Sequence, residues 1–344
     1  MAYATGTAID MAALLTALRN ACTANGWTLA GNVLHKDGCY AEVRIGDNGE
    51  TGAPTGTMLY VRAGNGIDGG NALTDAAEVA AMIGPLRAAT GDSWPDWDWP
   101  VNYHVHVLAD PDEVYLVANY GAGLYWQLLA FGQSPAPGNA GTGNWHHGFT
   151  GRINTPNSAN QYRRVNRVGI THDGPVVDPG NDVGARSIPI PFWWGARGLG
   201  GGTPANTELP SRMHGAVNSV SGDPVWSHRN LPLEGPEDGE GKVSAAVTTR
   251  PLLGYSPNTF NNETHLFPIQ VLQQRPSSKT SLIGELQHLR ICRNDYIDPA
   301  GVIVLGGDEW KVYPAYRKNT AARNAANRAD HSGTFAFAIR YDGG

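Results

Sequence analysis

The chain has 344 residues, 41% of them hydrophobic, and a formal net charge of −6, which suffices for two or three domains with a sizeable core. Its 44 glycines and 23 prolines, spread without a period, exclude collagen and point to many turns and long ordered loops. No run nears the roughly 20 apolar residues of a membrane span, and Met1–Gly6 lacks the basic-then-apolar order of a secretion signal.

In chain order, the spacing predicts a helix over residues 9–25. Asp10 is its N-cap, Met11, Leu14, Leu15, Leu18 and Cys22 share one face, and Asn25-Gly26 is its left-handed stop. Strands are predicted over Trp27–Leu34, Tyr40–Ile45 and Thr57–Arg62. A second helix is predicted over Thr74–Ile83, where Asp75 and Glu78 have capping-box spacing and Gly84-Pro85 forms a stop. A tryptophan-dense connector follows at residues 91–100. Alternation then predicts a three-stranded meander: Tyr103–Leu108, a turn at Asp110-Pro111-Asp112, Glu113–Tyr120, a turn at Gly121-Ala122-Gly123, and Leu124–Phe131.

Residues 132–240 read mostly as loop, with short strands at Val165–Thr171, Ser187–Trp194 and Pro224–Trp226. A stretch so long without regular structure is uncommon in an isolated domain and suits one covered by neighbouring subunits. Strands return at Val243–Thr248, Phe267–Leu272, His288–Arg293, Val302–Leu305, Trp310–Pro314 and Thr334–Tyr341. The expected fold class is α+β, mainly β. A helix-plus-strands unit over 1–92 precedes a linker and antiparallel meander over 93–150. A loop-rich insertion over 151–240 and a sandwich-like C-terminal β region over 241–344, packing with the meander, complete the chain.

Charge is unevenly spread. Residues 1–150 hold 5 basic and 14 acidic side chains, and residues 151–344 hold 20 and 17, giving −9 and +3. Subunits packed head to tail can use such a gradient. Arginine outnumbers lysine 20 to 5, as interfaces favour. Three cysteines, Cys22, Cys39 and Cys292, without C-x-x-C spacing, suit a reducing cytoplasm and read as small buried hydrophobes.

Three segments carry a resemblance. The first joins Tyr103-His104-Val105-His106-Val107-Leu108 to Asp110-Pro111-Asp112-Glu113-Val114-Tyr115, Tyr125-Trp126, Phe131-Gly132 and the loop Gly141–Trp145. The second is Ser281–Leu286 with His288-Leu289-Arg290. The third, the most specific, is Val304–Pro314 with Tyr316–Asn319 and His331–Gly343. Together they resemble a family of tailed-bacteriophage virion structural proteins. The resemblance touches about half the chain and implies a non-enzymatic tail or baseplate component. It implies a homo-oligomeric ring, hexameric or trimeric, docked to other tail proteins, made in the host cytoplasm and located in the virion. A head–tail collar or tail-terminator position stays open, and no cofactor is implied.

Several groupings could carry chemistry. His104 and His106, two apart on a strand, share a face and could begin a metal site, but no third ligand sits at a recognised spacing. Asp110, Asp112 and Glu113 read as a turn, since Pro111 and the spacing do not suit a calcium loop. Trp94, Trp97 and Trp99, interleaved with Asp96 and Asp98, could stack against a host-surface glycan, or anchor the connector onto a core. Arg317, Lys318, Arg323 and Arg328 form a basic loop whose expected use is a subunit interface. The acidic overall charge argues against nucleic acid. The Gly198–Gly202 run lacks the Lys-Ser/Thr ending of a phosphate loop, and no Gly-x-Ser-x-Gly or His-Glu-x-x-His occurs.

Overall fold

The computed structural model describes residues 1–46, 58–76, 80–84, 97–133, 143–149, 216–218, 224–226, 243–245, 263–275, 279–323 and 332–343. The strands expected at Val165–Thr171 and Ser187–Trp194 lie outside them. The chain opens with a strand, β1 (Ala2–Ala8), and then the helix α1 (Met11–Thr23). The Asp10 carboxylate accepts a 2.7 Å hydrogen bond from the Ala13 amide, satisfying a donor that the first helical turn leaves unpaired. Met11, Leu14, Leu15, Leu18, Ala21 and Cys22 form the buried face, and Gly26 takes the left-handed φ of 85° beyond the last turn.

Short antiparallel strands follow: β2 (Thr28–Ala30), β3 (Val33–Lys36), β4 (Cys39–Gly46), β5 (Met58–Gly64), β6 (Gly66–Ile67), β7 (Leu73–Thr74) and β8 (Ala81–Ile83). They form a sheet ordered β2-β3-β4-β5-β8, with β6 and β7 paired separately. The second expected helix is therefore corrected. Ala81–Ile83 pairs with Leu59–Val61, and Ala81 and Ile83 are buried on either side of a half-buried Met82, so period two prevails. Asp75, its expected N-cap, sits at φ 43° rather than extended, and its carboxylate accepts from the Asn65 amide group.

The meander forms as expected, as β9 (Val101–Leu108), β10 (Glu113–Tyr120) and β11 (Tyr125–Gln133), and gains β12 (Asn144–Phe149). The central sheet is β1-β9-β10-β11-β12. β1 reaches across from the N-terminal segment to pair with β9, from Ala2 opposite Val107 to Ala8 opposite Val101.

The remaining strands are β13 (Ala216–Asn218), β14 (Pro224–Trp226), β15 (Val243–Ala245), β16 (Phe267–Arg275), β17 (Lys279–Arg293), β18 (Gly301–Leu305), β19 (Asp308–Pro314) and β20 (Phe335–Tyr341). β13 and β14 pair with each other. The rest form a six-stranded sheet ordered β15-β16-β17-β20-β19-β18. The fold is thus α+β and mainly β. Gly306 and Gly307, at φ 62° and 95°, make the two-residue turn between β18 and β19 that needs positive φ at both positions.

The central sheet is covered on both faces. Val105, Val107, Val114, Leu116, Ala118, Leu129 and Phe131 pack against α1 and the first sheet. Alternate residues Leu108, Tyr115, Val117, Trp126, Leu128 and Ala130 pack against Ile269, Leu286, Leu289, Ile291, Tyr313, Phe337 and Ile339 of the C-terminal sheet. Every residue of β10 is consequently buried. Lys311, Tyr313 and Tyr316 meet in turn Tyr3 of β1, His106 of β9 and Tyr125 of β11. The C-terminal strands therefore cross the central strands rather than run along them.

β12 lies tight against the first sheet. A Cβ added at Gly148 would stand 2.5 Å from the Met82 amide nitrogen and 2.7 Å from its carbonyl oxygen. Backbone cannot yield as a side-chain tip can, so Gly148→Ala is expected to cost about 1–3 kcal/mol. A chemical-denaturation midpoint equal to that of the wild type would contradict this contact.

Candidate functional site

Two buried polar groupings sit where the central and C-terminal sheets cross. The first contains the predicted histidines. His104 and His106 do share the face of β9 that looks toward the C-terminal sheet. Tyr3 and Thr5 of β1 lie beside them in register. The Tyr3 hydroxyl is 2.6 Å from His104 Nδ1, and His106 Nε2 is 2.8 Å from the Tyr313 hydroxyl. Lys311 places its ammonium 5.0 Å from the Tyr3 ring centre and 4.7 Å from that of Tyr341, a cation held between two aromatic faces. The Trp126 ring stacks near His104 at 6.0 Å.

Burial, aided by the Lys311 charge, lowers His104 to about 4. Burial, then His104 and Lys311, lowers His106 to about 3. Both imidazoles are neutral at pH 7. Values so far below the working pH suit them poorly to general base catalysis, which is most effective near 7. Among the described residues no group of three His, Cys, Asp or Glu side chains is placed to hold a metal ion. What the pair does chemically is bind tyrosine hydroxyls: His104 meets Tyr3 within the central sheet, and His106 meets Tyr313 of β19, joining the layers.

The second grouping centres on Glu113, which is 0% exposed. Its Oε2 accepts from the Tyr115 hydroxyl at 2.6 Å and from the His288 amide at 3.1 Å, and its Oε1 accepts from the Gln287 amide at 3.1 Å. Those two amides lie where the pairing of β17 with β16 slips, between Arg290 opposite Pro268 and Leu286 opposite Ile269. The bulge frees backbone donors, and a carboxylate from the neighbouring layer takes them. Burial raises the Glu113 carboxyl to about 7, against the opposing pull of its three donors and the Arg290 charge. The Asp110-Pro111-Asp112 turn forms before it, and Asp112 meets Lys36 of β3 at 2.6 Å.

The other predicted residues fall elsewhere. Trp97 is 4% exposed and packs against Tyr120 and Trp99, so it offers no open ring face to a sugar and anchors the connector instead. Trp99 is half-buried, and Trp94 lies outside the described residues. In the basic loop, Arg317 donates to the Tyr125 hydroxyl at 3.2 Å, and Lys318 donates to the Ile297 carbonyl at 2.7 Å. Arg323 is ion-paired with Asp295, which also meets the buried Arg293 at 3.0 Å. Burial would raise the Asp295 carboxyl, but Arg293 and Arg323 hold it below its ordinary value. Three of the four basic residues thus have partners within the chain, and Arg328 lies outside the described residues. Cys22, Cys39 and Cys292 are free and buried, and burial pushes each thiol up, away from reactivity.

Tyr3, Lys311 and Tyr341 were not readable as part of a grouping, because only the β1–β9 register and the crossing of the sheets bring them together. For Glu113 a signal existed: an acid heading the apolar run Val114–Ala118 must be buried if the run is covered on both faces. The chain matches no protein-family model, and no match was found among curated proteins.

Two opposed pH effects follow. Glu113 has a raised folded pKa, so its contribution is fully present below about 4.3, the unfolded value, and is lost as pH rises through about 7. Glu113→Gln, neutral throughout, should flatten that slope between pH 5 and 8. It should also cost about 1–3 kcal/mol, because an amide group now meets backbone donors. His106 has a lowered folded pKa, so its contribution is present above about 6.5 and is lost as pH falls toward about 3. His106→Gln should lose less stability than the wild type between pH 6.5 and 4. Urea midpoints across pH 4–8 for the three proteins check both slopes. Parallel curves would refute both assignments.

Proposed function

We propose that the chain is a non-enzymatic building block of a tailed-phage virion, a ring subunit of the tail or baseplate that acts by self-association and by docking to other tail proteins. The observation that carries this reading is where the resembling segments fall. Tyr103–Tyr115 and Tyr125-Trp126 supply the central sheet, while Trp310–Pro314 and Thr334–Tyr341 supply β19 and β20. Segments some 200 residues apart share one core, with Tyr115, Trp126, Tyr313 and Phe337 all in it. The resemblance thus follows residues that hold layers together, as expected of a scaffold.

The chemistry of the buried groups supports the same reading. His106 and Glu113 have partners that cross between layers, His104 is bonded to Tyr3 of the neighbouring strand, and their protonation states suit cohesion better than turnover. The acidic first half and the basic second half favour copies meeting head to tail. The buried Trp97 leaves the glycan-binding alternative without its central ring.

Mass spectrometry of purified particles is expected to detect the chain. Sedimentation and electron microscopy of the purified protein are expected to show closed rings of identical copies, weakening as ionic strength rises. A protein that stays monomeric both free and on the particle would overturn the proposal.

A further inference from the structure

β18 is the outer strand of the C-terminal sheet, and among the described residues no strand lies beyond it. Its sequence, Gly301-Val302-Ile303-Val304-Leu305, holds no charge and no proline. Val302, Val304 and Leu305 are 43%, 68% and 57% exposed. Sheet edges are ordinarily guarded against pairing by lysine, proline, a bulge or extreme shortness, and a run of β-branched residues left open invites strand addition. On the central sheet the outer strand β1, Ala2-Tyr3-Ala4-Thr5-Gly6-Thr7-Ala8, is also uncharged and has no described strand on its far side.

We infer that β18 of one copy adds to β1 of the next, making a head-to-tail contact that continues the C-terminal sheet of one subunit into the central sheet of its neighbour. This rests on the self-assembly reading and names the surfaces it uses. β1 offers no acid before Asp10, and its seven residues accommodate all five of β18. The chain-wide polarity of −9 and +3 points the same way, because a heterologous contact brings opposite halves together and an isologous one does not. Strand addition over five residues is smaller than the roughly 1,600 Å² of a standard interface. The pairing sets register and holds two copies reversibly, and closure of the ring adds avidity to it.

The test uses two variants of the full chain. Val304→Lys with Leu305→Lys charges the edge at exposed positions opposite Glu309 and Asp308, where the fold tolerates it. Thr7→Lys charges β1 at another exposed position. Val304→Thr with Leu305→Thr removes the apolar edge without adding charge, as a second probe. Thermal melts by circular dichroism establish that each is folded.

In sedimentation velocity over a concentration series, each variant alone is expected to associate at least about tenfold more weakly than the wild type. An equimolar mixture of the two lysine variants is expected to give a heterodimer, because each retains the surface the other lacks. Folded variants that assemble like the wild type, or a mixture that stays monomeric, overturn the β18–β1 contact while leaving self-assembly intact. Loss of assembly in the β18 variants with Thr7→Lys still dimerising would show β18 pairing with itself, and so overturn it too. A wild-type chain that never associates removes both this contact and the reading beneath it.

Discussion

A buried carboxylate, Glu113, fixes how the central and C-terminal sheets meet. β17 must serve two neighbours, β16 along most of its length and β20 from Leu289 to Arg293. Its ladder with β16 slips between Leu286 and Arg290, and the slip frees the amides of the exposed Gln287 and the buried His288. Left without an acceptor, the buried His288 amide would cost about 1–3 kcal/mol. Glu113, at the start of the most deeply covered strand, accepts both. The bend in the C-terminal sheet and the position of the central sheet therefore specify each other.

The crossing of the strands follows from this anchor. With β17 fixed near the β9–β10 turn, β20 and β19 lie successively further along β9, and their side chains pass over several central strands. That is why one strand can meet Tyr3, His106 and Trp126 through Lys311 and Tyr313. The histidines serve here as neutral hydrogen-bonding groups with aromatic character, tolerant of burial because a nearby cation and the loss of water both favour the uncharged ring.

Much of the fold was legible because local signals agreed with tertiary demand. Asp10, the apolar face of α1 and Gly26 specify a helix at its start, side and end. The glycine turn at 121–123 and the Asp-Pro-Asp turn bound β10 on both sides. Where local and tertiary signals conflicted, reading failed. Asp75 and Glu78 resemble a cap, yet burial of Ala81 and Ile83 on β5 outweighed that spacing. β1 was missed because its alanines, glycine and threonines carry little hydrophobic contrast. Its structure comes from a partner a hundred residues away. The two histidines were correctly assigned to one face, but which hydroxyls they meet depends on how sheets cross, and no spacing in the chain encodes that.

The pairing of β1 with β9 also bears on the order in which the molecule can be built. β1 must wait for residues 101–107 before it has a partner strand, while α1 and the sheet from β2 to β8 can assemble in the interval. The C-terminal sheet, which covers the far face of β10, is built only from residue 243 onward. Contacts so distant along the chain slow folding, and until the last strands arrive an apolar face of the central sheet is open to other nascent copies. Closure of the C-terminal sheet thus does two things at once: it completes the core that Tyr115 and Trp126 share with Tyr313 and Phe337, and it takes that face out of reach of other copies.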